Sequence, residues 1–400
     1  MRIGYYIPAW PPGSFPNGIV TTLGHLGRQL RKDGHDVFYV TPLNQGDVDD
    51  PFVKPVPSSK LSLLERLLYR TDFEQALFKG HSNSVASAFA ELVAKASLDI
   101  IQMEETHGWA HQVITQIAKP VVVRLHGPWF ANVDLGKATE DKPENRHRIA
   151  REGRAIFAAA GVAAPSSDIL KRMVKFYDRR PSLTEVIPNP IECEPPEFRW
   201  SLENCNRNQI LFVGRFDKIK GADILLQAFS RILERHKDLQ LIFVGPDVGM
   251  VSDSGKAHGV ESYCKSELSV HTWNQVKYLG PLPAKDIKLL RRQSYLTVIS
   301  SRYETFGNVA IEAMAAGSPI VAPKVGGIRE ILYDRRNSLT FEPESISGFQ
   351  EQMERLIAAP ALAVELANNA YQDCRANFSP ESIARRTIQF YSNVIAAHRA

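Results

Sequence analysis

Arg215, Lys218 and Lys220 crowd into the segment GRFDKIKG, which is bracketed by Gly214 and Gly221. The apolar run ILFV precedes it, so the segment reads as the loop after a strand. There Arg215 and Lys220 can aim two cations at one anionic group, and Gly221 lets the backbone turn closely into the next helix. Alone, the same segment reads equally as a solvated loop. Further on, SSRYETFGNVAIEAMAAGSP carries Glu304 at the end of a strand pattern and Glu312 eight positions later. Thr305 is expected to N-cap a helix over 305–316. The amides of Phe306, Gly307 and Asn308 would then emerge from a helix N-terminus, where unpaired N–H groups and the helix dipole favour phosphate. Gly307 allows a large ligand to come close. Along such a helix Glu312 lies about 12 Å beyond Glu304, too far to share a proton or a metal ion. Two separated carboxylates suit the two ends of an extended ligand, one accepting hydrogen bonds from sugar hydroxyls and the other from ribose hydroxyls. An exposed Glu312 on a solvated helix face is the plain alternative.

Elements must hold these residues in place. Strand-like apolar runs at 3–7, 35–41, 98–104, 120–127 and 161–166 alternate with helical patterns, the first of them over 19–32. The same alternation restarts at 210–215 and continues through 239–245, 276–280, 295–301 and 319–323. Short continuous apolar runs separated by helices indicate parallel strands buried on both faces, so the fold class is α/β, with two facing Rossmann-like doubly wound domains and a cleft between them. Residues 186–209, rich in Pro, Asn and Glu and without apolar period, read as a linker. The expected division is a domain over 1–190, a second over 191–379, and a helix over 380–400 whose docking partner the pattern leaves open. Ligands of open α/β sheets bind beyond the carboxyl ends of the strands, which is where the loop at 214–221 and Glu304 fall.

Composition excludes several function classes. With 44% apolar and 23% charged residues the chain is ordinary for a globular protein, and no apolar run approaches the ~18 residues a membrane span needs. The N-terminal segment MRIGYYIPAW is wrong for a secretory signal, so a cytoplasmic protein is expected. The net charge of +4 comes from dispersed basic residues, which argues against nucleic acid. Four cysteines stand far apart with no CxxC pair, implying neither a zinc site nor a disulfide framework. The triplet Asp47 to Asp49 resembles a metal-binding DxD but sits in an acidic loop. A basic and apolar stretch over 61–80 fits a core-packing helix, or a peripheral contact with the inner face of a membrane.

The segments GRFDKIKGADILLQAF and ETFGNVAIEAMAAGSPIVAPKVGGIREIL resemble the retaining nucleotide-sugar glycosyltransferases of family four, whose fold is GT-B. Glu304 and Glu312 match that family's two-glutamate motif with seven intervening residues, and Arg215 and Lys220 match its basic pair. The resemblance implies that Arg215 and Lys220 hold the donor pyrophosphate, Glu304 the donor sugar and Glu312 the ribose. It further implies that His126, in RLHG, faces the donor sugar and orients a hydroxyl rather than acting as base. The loop at Asn17 and Gly18 occupies the family's Gly-rich place near the pyrophosphate, with one Gly where a pair is common. VIPNPIE resembles the linker signature, with Pro190 where Gly is usual. The implied donor is a nucleotide-diphosphate sugar, UDP-sugar first, and the acceptor a hydroxyl of a saccharide or lipid-linked molecule, as in polysaccharide biosynthesis. Attack on the face of departure, with the leaving phosphate taking the hydroxyl proton, needs no protein nucleophile, metal or cofactor. Glu105, His107 and Trp109, after the fourth strand pattern, are acceptor-side candidates, with Glu104 beside them and the aromatics Trp10, Phe15 and Trp129 in nearby loops. The same frame also serves a catalytically inactive nucleotide-sugar-binding paralogue or an epimerase.

Overall fold

The structure, a computed structural model, describes residues 1–13, 17–46, 50–57, 73–134, 142–252 and 255–399. Phe15, the Asp47 to Asp49 triplet and the membrane-compatible stretch up to residue 72 lie outside the described residues. The end of that stretch opens the helix Phe73–Ala96.

The chain divides into two compact units, one of Met1–Pro190 with Pro380–Ala400, the other of Ile191–Ser379. The first carries a seven-stranded parallel sheet: β1 (Arg2–Tyr6), β2 (Asp36–Thr41), β3 (Val53–Pro55), β4 (Ile100–Glu104), β5 (Val121–Arg124), β6 (Gly161–Ala164) and β7 (Thr184–Val186). Its order is β3-β2-β1-β4-β5-β6-β7, so the chain reverses direction across the sheet between β1 and β4. Alternation at period two sends side chains into both faces. Ile3, Tyr5, Ile100 and Val122 enter one core, and Tyr6, Ile101, Val121 and Val123 the other.

The helix Pro380–Arg399 completes the first of these cores with Ile383, Phe390, Tyr391 and Val394. The Tyr391 hydroxyl, fully buried, bonds to Gln102 Oε1 at 2.7 Å and to the Tyr5 hydroxyl at 3.1 Å. Gly161 permits this docking, because a Cβ there would stand 2.7 Å from Val394 Cγ2.

The second unit holds β8 (Asn206–Val213), β9 (Gln240–Val244), a two-stranded hairpin of β10 (Met250–Val251) and β11 (Ala257–His258), β12 (Val276–Gly280), β13 (Ser294–Val298), β14 (Ile320–Pro323) and β15 (Leu339–Phe341). Its six-stranded parallel sheet runs β12-β9-β8-β13-β14-β15. Ile210, Phe212, Leu241 and Phe243 pack one face and Leu211, Ile242 and Val244 the other. Strands β3, β7 and β15 have no counterpart in the apolar runs. Three residues at a sheet edge are too few to carry an alternation.

One helix differs from its expected form. It covers Asn308–Ala315, with Gly307 rather than Thr305 as its cap and no side-chain capping bond. The reason lies in the preceding backbone. The Glu304 carbonyl accepts the Gly327 amide at 2.9 Å, and Gly326 packs so closely that a Cβ would lie 2.2 Å from that carbonyl. A segment tied laterally to another loop cannot coil. The chain enters the helix only at Gly307, whose φ of +107° is one that L side chains rarely adopt.

Candidate active site

In the second unit the loop after β8 is laced to the loop after β13. Gly221 adopts φ +63°, and a Cβ there would meet the Ser300 carbonyl oxygen at 1.9 Å. The Ser300 hydroxyl donates to the Lys220 carbonyl at 2.7 Å, and the Arg302 amide to the Ile219 carbonyl at 2.7 Å. The Arg302 guanidinium grips buried Asp223 through two bonds of 2.8 and 2.9 Å, the bidentate geometry that fixes orientation as well as distance. Glycine supplies the approach, and Arg302 with Asp223 supplies the lock.

Lys220 Nζ lies 2.5 Å from Glu304 Oε1, and the Ser301 hydroxyl donates to the same oxygen at 2.7 Å. Both charged side chains are mostly shielded from solvent. Arg215 turns the other way and donates from Nε to Asp217 Oδ2 at 2.7 Å, while Asp217 Oδ1 accepts the Lys220 amide at 2.7 Å. The two cations therefore reach different carboxylates in this structure instead of converging on one point. Apart from that bond, the guanidinium of Arg215 has no hydrogen-bond partner among the described residues. Gly214 lies beside this loop, its amide bonded to the Val244 carbonyl at 2.9 Å. Phe306 is buried in the apolar core against Phe378, so its side chain is structural. Glu312 is held by Arg291, whose Nη2 donates to Oε2 at 2.6 Å. Among the described residues no three His, Cys, Asp or Glu side chains gather as a metal site.

In the first unit the site residues sit at the carboxyl ends of β1, β4 and β5. Two buried carboxylates anchor the loops there. Glu105 accepts the amides of His126 at 3.0 Å and Gly127 at 2.8 Å. Glu152 accepts those of His107 at 3.1 Å and Trp129 at 2.6 Å, together with Arg148 Nε at 2.9 Å. Glu105, expected on the acceptor side, is thus a buried anchor with both oxygens committed. Burial pushes its carboxyl up to about 7, with the neighbouring charge of Glu152 adding to the shift and the amide bonds opposing it. Asn17 is committed as well. Its Oδ1 caps the helix Gly18–Lys32 by accepting the amides of Ile19 and Val20. Gly18, the first residue of that helix, stays exposed.

His126 is half-buried, and desolvation, aided by the positive charge of Arg124, holds its imidazole well below the ordinary value. It is neutral near pH 7. His107 adopts φ +55° and stacks on Trp109 with ring centroids 4.9 Å apart. Desolvation first, then Arg148 and Arg151, lower its imidazole to about 4. Trp109 also packs against His81 at 4.2 Å and Tyr6 at 5.8 Å, and the Tyr6 hydroxyl is 3.1 Å from His81 Nε2. His107 and Trp109 therefore belong to one polar aromatic cluster. Glu104 closes β4 close by, buried, with Oε1 lacking a hydrogen-bond partner among the described residues, and burial pushes its carboxyl up to about 8.

Several of these residues escaped the sequence pattern. Arg291, Ser301, Arg302 and Glu152 match no motif position, and their roles exist only through partners 3 to 83 positions away. Arg302 adjoins the glutamate motif in SRYE and was the most accessible of them.

Comparison with known proteins adds to this geometry. Residues 195–373 match the family model for group 1 glycosyl transferases, and residues 16–195 that for glycosyltransferase family 4. An uncharacterised glycosyltransferase of Methanocaldococcus jannaschii is 33% identical over 405 aligned residues, covering 98% of each chain. Sucrose-phosphate synthase from Thermosynechococcus elongatus superposes with a TM-score of 0.74 at 21% identity, covering 99% of both chains. Anabaena HepE, solved in complex with UDP-glucose, superposes with a TM-score of 0.64 at 20% identity over 98% of this chain and all of the other. The architecture is GT-B.

Proposed function

The chain belongs to the group 1 glycosyl transferases, and from that premise we propose that it moves a sugar from a UDP-sugar to a hydroxyl of a saccharide or lipid-linked acceptor, with retention of configuration and without a metal. The observation that carries this reading is the Lys220–Glu304 pair at the carboxyl ends of β8 and β13. An incoming diphosphate competes with Glu304 for the Lys220 ammonium. Once Lys220 has turned to phosphate, Glu304 can accept hydrogen bonds from the sugar. One side chain thus answers the leaving-group charge while the other is released to orient the group transferred. Arg215, a part-exposed cation whose partner among the described residues is Asp217, adds a second positive charge, and the amides at the start of the helix Asn308–Ala315 add fixed dipoles. The UDP-glucose complex of HepE supports the choice of donor class.

In same-face substitution the glycosidic bond to the diphosphate breaks as the acceptor oxygen attacks, and a phosphate oxygen takes the hydroxyl proton. Neutral His126 donates a hydrogen bond to a sugar hydroxyl in this reading, and the loop that carries it is set by Glu105. His107 and Trp109, at the end of β4, are proposed to stack against the acceptor ring.

The test is release of nucleoside diphosphate from a panel of UDP-, GDP- and ADP-sugars, with and without EDTA. Release from a UDP-sugar, unchanged by chelation, supports the reading. Tight binding with no release across the panel supports an inactive paralogue, and conversion of the sugar on the intact donor supports an epimerase. Loss of release in EDTA, restored by a divalent ion, removes the metal-independent assignment. Among the described residues no helix is long and apolar enough to cross a membrane, and contact with the inner face of a membrane stays part of the proposal through lipid-linked acceptors.

A further inference from the structure

We propose that Arg291 is a positioning residue that presents Glu312 to the donor ribose, an inference that rests on reading Glu312 as the ribose acceptor. Arg291 comes from the last turn of the helix Ala284–Gln293 and is only 2% exposed. Its Nη2 donates to Glu312 Oε2 at 2.6 Å, and its Nε is buried with no hydrogen-bond partner among the described residues. A desolvated guanidinium is costly and cannot shed its proton, so its charge must be met by a carboxylate. Glu312 is the carboxylate that meets it.

Glu312 itself stands about one third exposed on its helix, and among the described residues Arg291 is the partner of its carboxylate. A glutamate on an open helix face samples several rotamers. Here the buried cation takes one oxygen and holds the side chain in a single orientation. Oε1 takes no part in that bond, so in this reading its two lone pairs are left for two adjacent ribose hydroxyls. Fixing the acceptor before the ligand arrives removes an ordering cost from binding. The ion pair is therefore aimed at the ligand, although it also joins two helices.

The experiment compares binding of UDP with that of 2′,3′-dideoxy-UDP by calorimetry. The proteins are the full-length wild type, Glu312→Gln, Arg291→Met and Arg291→Lys. Hydrogen bonds to a charged acceptor predict a wild-type preference for the ribose form of roughly ten- to a hundred-fold. Glu312→Gln and Arg291→Met should both bring that preference close to one. Arg291→Lys keeps the charge without the planar fork and should retain part of it. If Glu312→Gln loses the preference while Arg291→Met keeps it, the positioning role is overturned and the ribose assignment stands. If Glu312→Gln keeps it, or the wild type shows none, both fall. Should Arg291→Met fail to fold, Arg291→Lys decides. A several-fold lower preference supports the role and an unchanged one overturns it. If UDP does not bind, GDP and ADP are compared with their dideoxy forms, and failure of all three overturns both assignments.

Discussion

Replacing Glu104 with Gln should make the protein's stability less sensitive to alkali. Glu104 is 5% exposed, its Oε1 has no hydrogen-bond partner among the described residues, and burial, with a smaller contribution from Glu105, moves its carboxyl from an ordinary 4.5 up to about 8. The native state thus keeps a proton that the unfolded chain releases near the ordinary value. Between those limits the folded form binds more protons than the unfolded one, so stability falls as pH rises through the window. The slope is at most about 1.4 kcal/mol per pH unit. From pH 6 to pH 9 this single group removes about 3 kcal/mol from the wild type. Gln mimics the protonated carboxyl and does not titrate. Any change in hydrogen bonding that the amide brings is constant with pH, so the growing difference between the two proteins belongs to Glu104. Urea-unfolding midpoints followed by intrinsic fluorescence, measured for both proteins at pH 6 and pH 9, read it directly. Curves that separate as pH rises support the account. Curves that stay parallel would show that Glu104 is ionised in the folded protein and that its burial has been compensated.

Three further outcomes follow from the geometry. Glu304→Gln removes the charge that pairs with Lys220 and that is proposed to accept sugar hydroxyls, and should lower kcat about a hundredfold in donor-turnover assays. Gly221→Ala places a Cβ 1.9 Å from the Ser300 carbonyl at a φ of +63° and should cost at least about 2 kcal/mol, visible as a lower melting temperature together with weaker donor binding. Removing residues 380–400 strips Ile383, Phe390, Tyr391 and Val394 from the core of the first unit, and limited proteolysis should then cleave that unit much faster than in the full chain.

The fold was largely legible because its strands are buried on both faces and write themselves as short apolar runs. VVVR and QLIFV are examples, each enclosed in the structure. What escaped is of two kinds. Edge strands such as LTF at β15 are too short to show a period, and the start of the helix at Asn308 depends on Gly326 and Gly327, distant in sequence, holding the Glu304 carbonyl. At the site, Arg215, Lys220, Glu304 and Glu312 were legible as a pattern, but their pairing was not. Nothing in the order of residues says that Lys220 meets Glu304 while Arg291 meets Glu312. Glu105 and His126 were both singled out, yet the bond from the His126 amide to the Glu105 carboxylate makes one the support of the other. That relation becomes visible only once β4 and β5 lie side by side.

The most direct test is a calorimetric titration with UDP of the wild type and of the double variant Arg215→Met, Lys220→Met. One site per chain in the wild type, with affinity at least a hundredfold weaker in a double variant that keeps its circular dichroism, is the predicted result. Equal affinity in the two proteins would place the diphosphate elsewhere and contradict the assignment of these two cations to the leaving group.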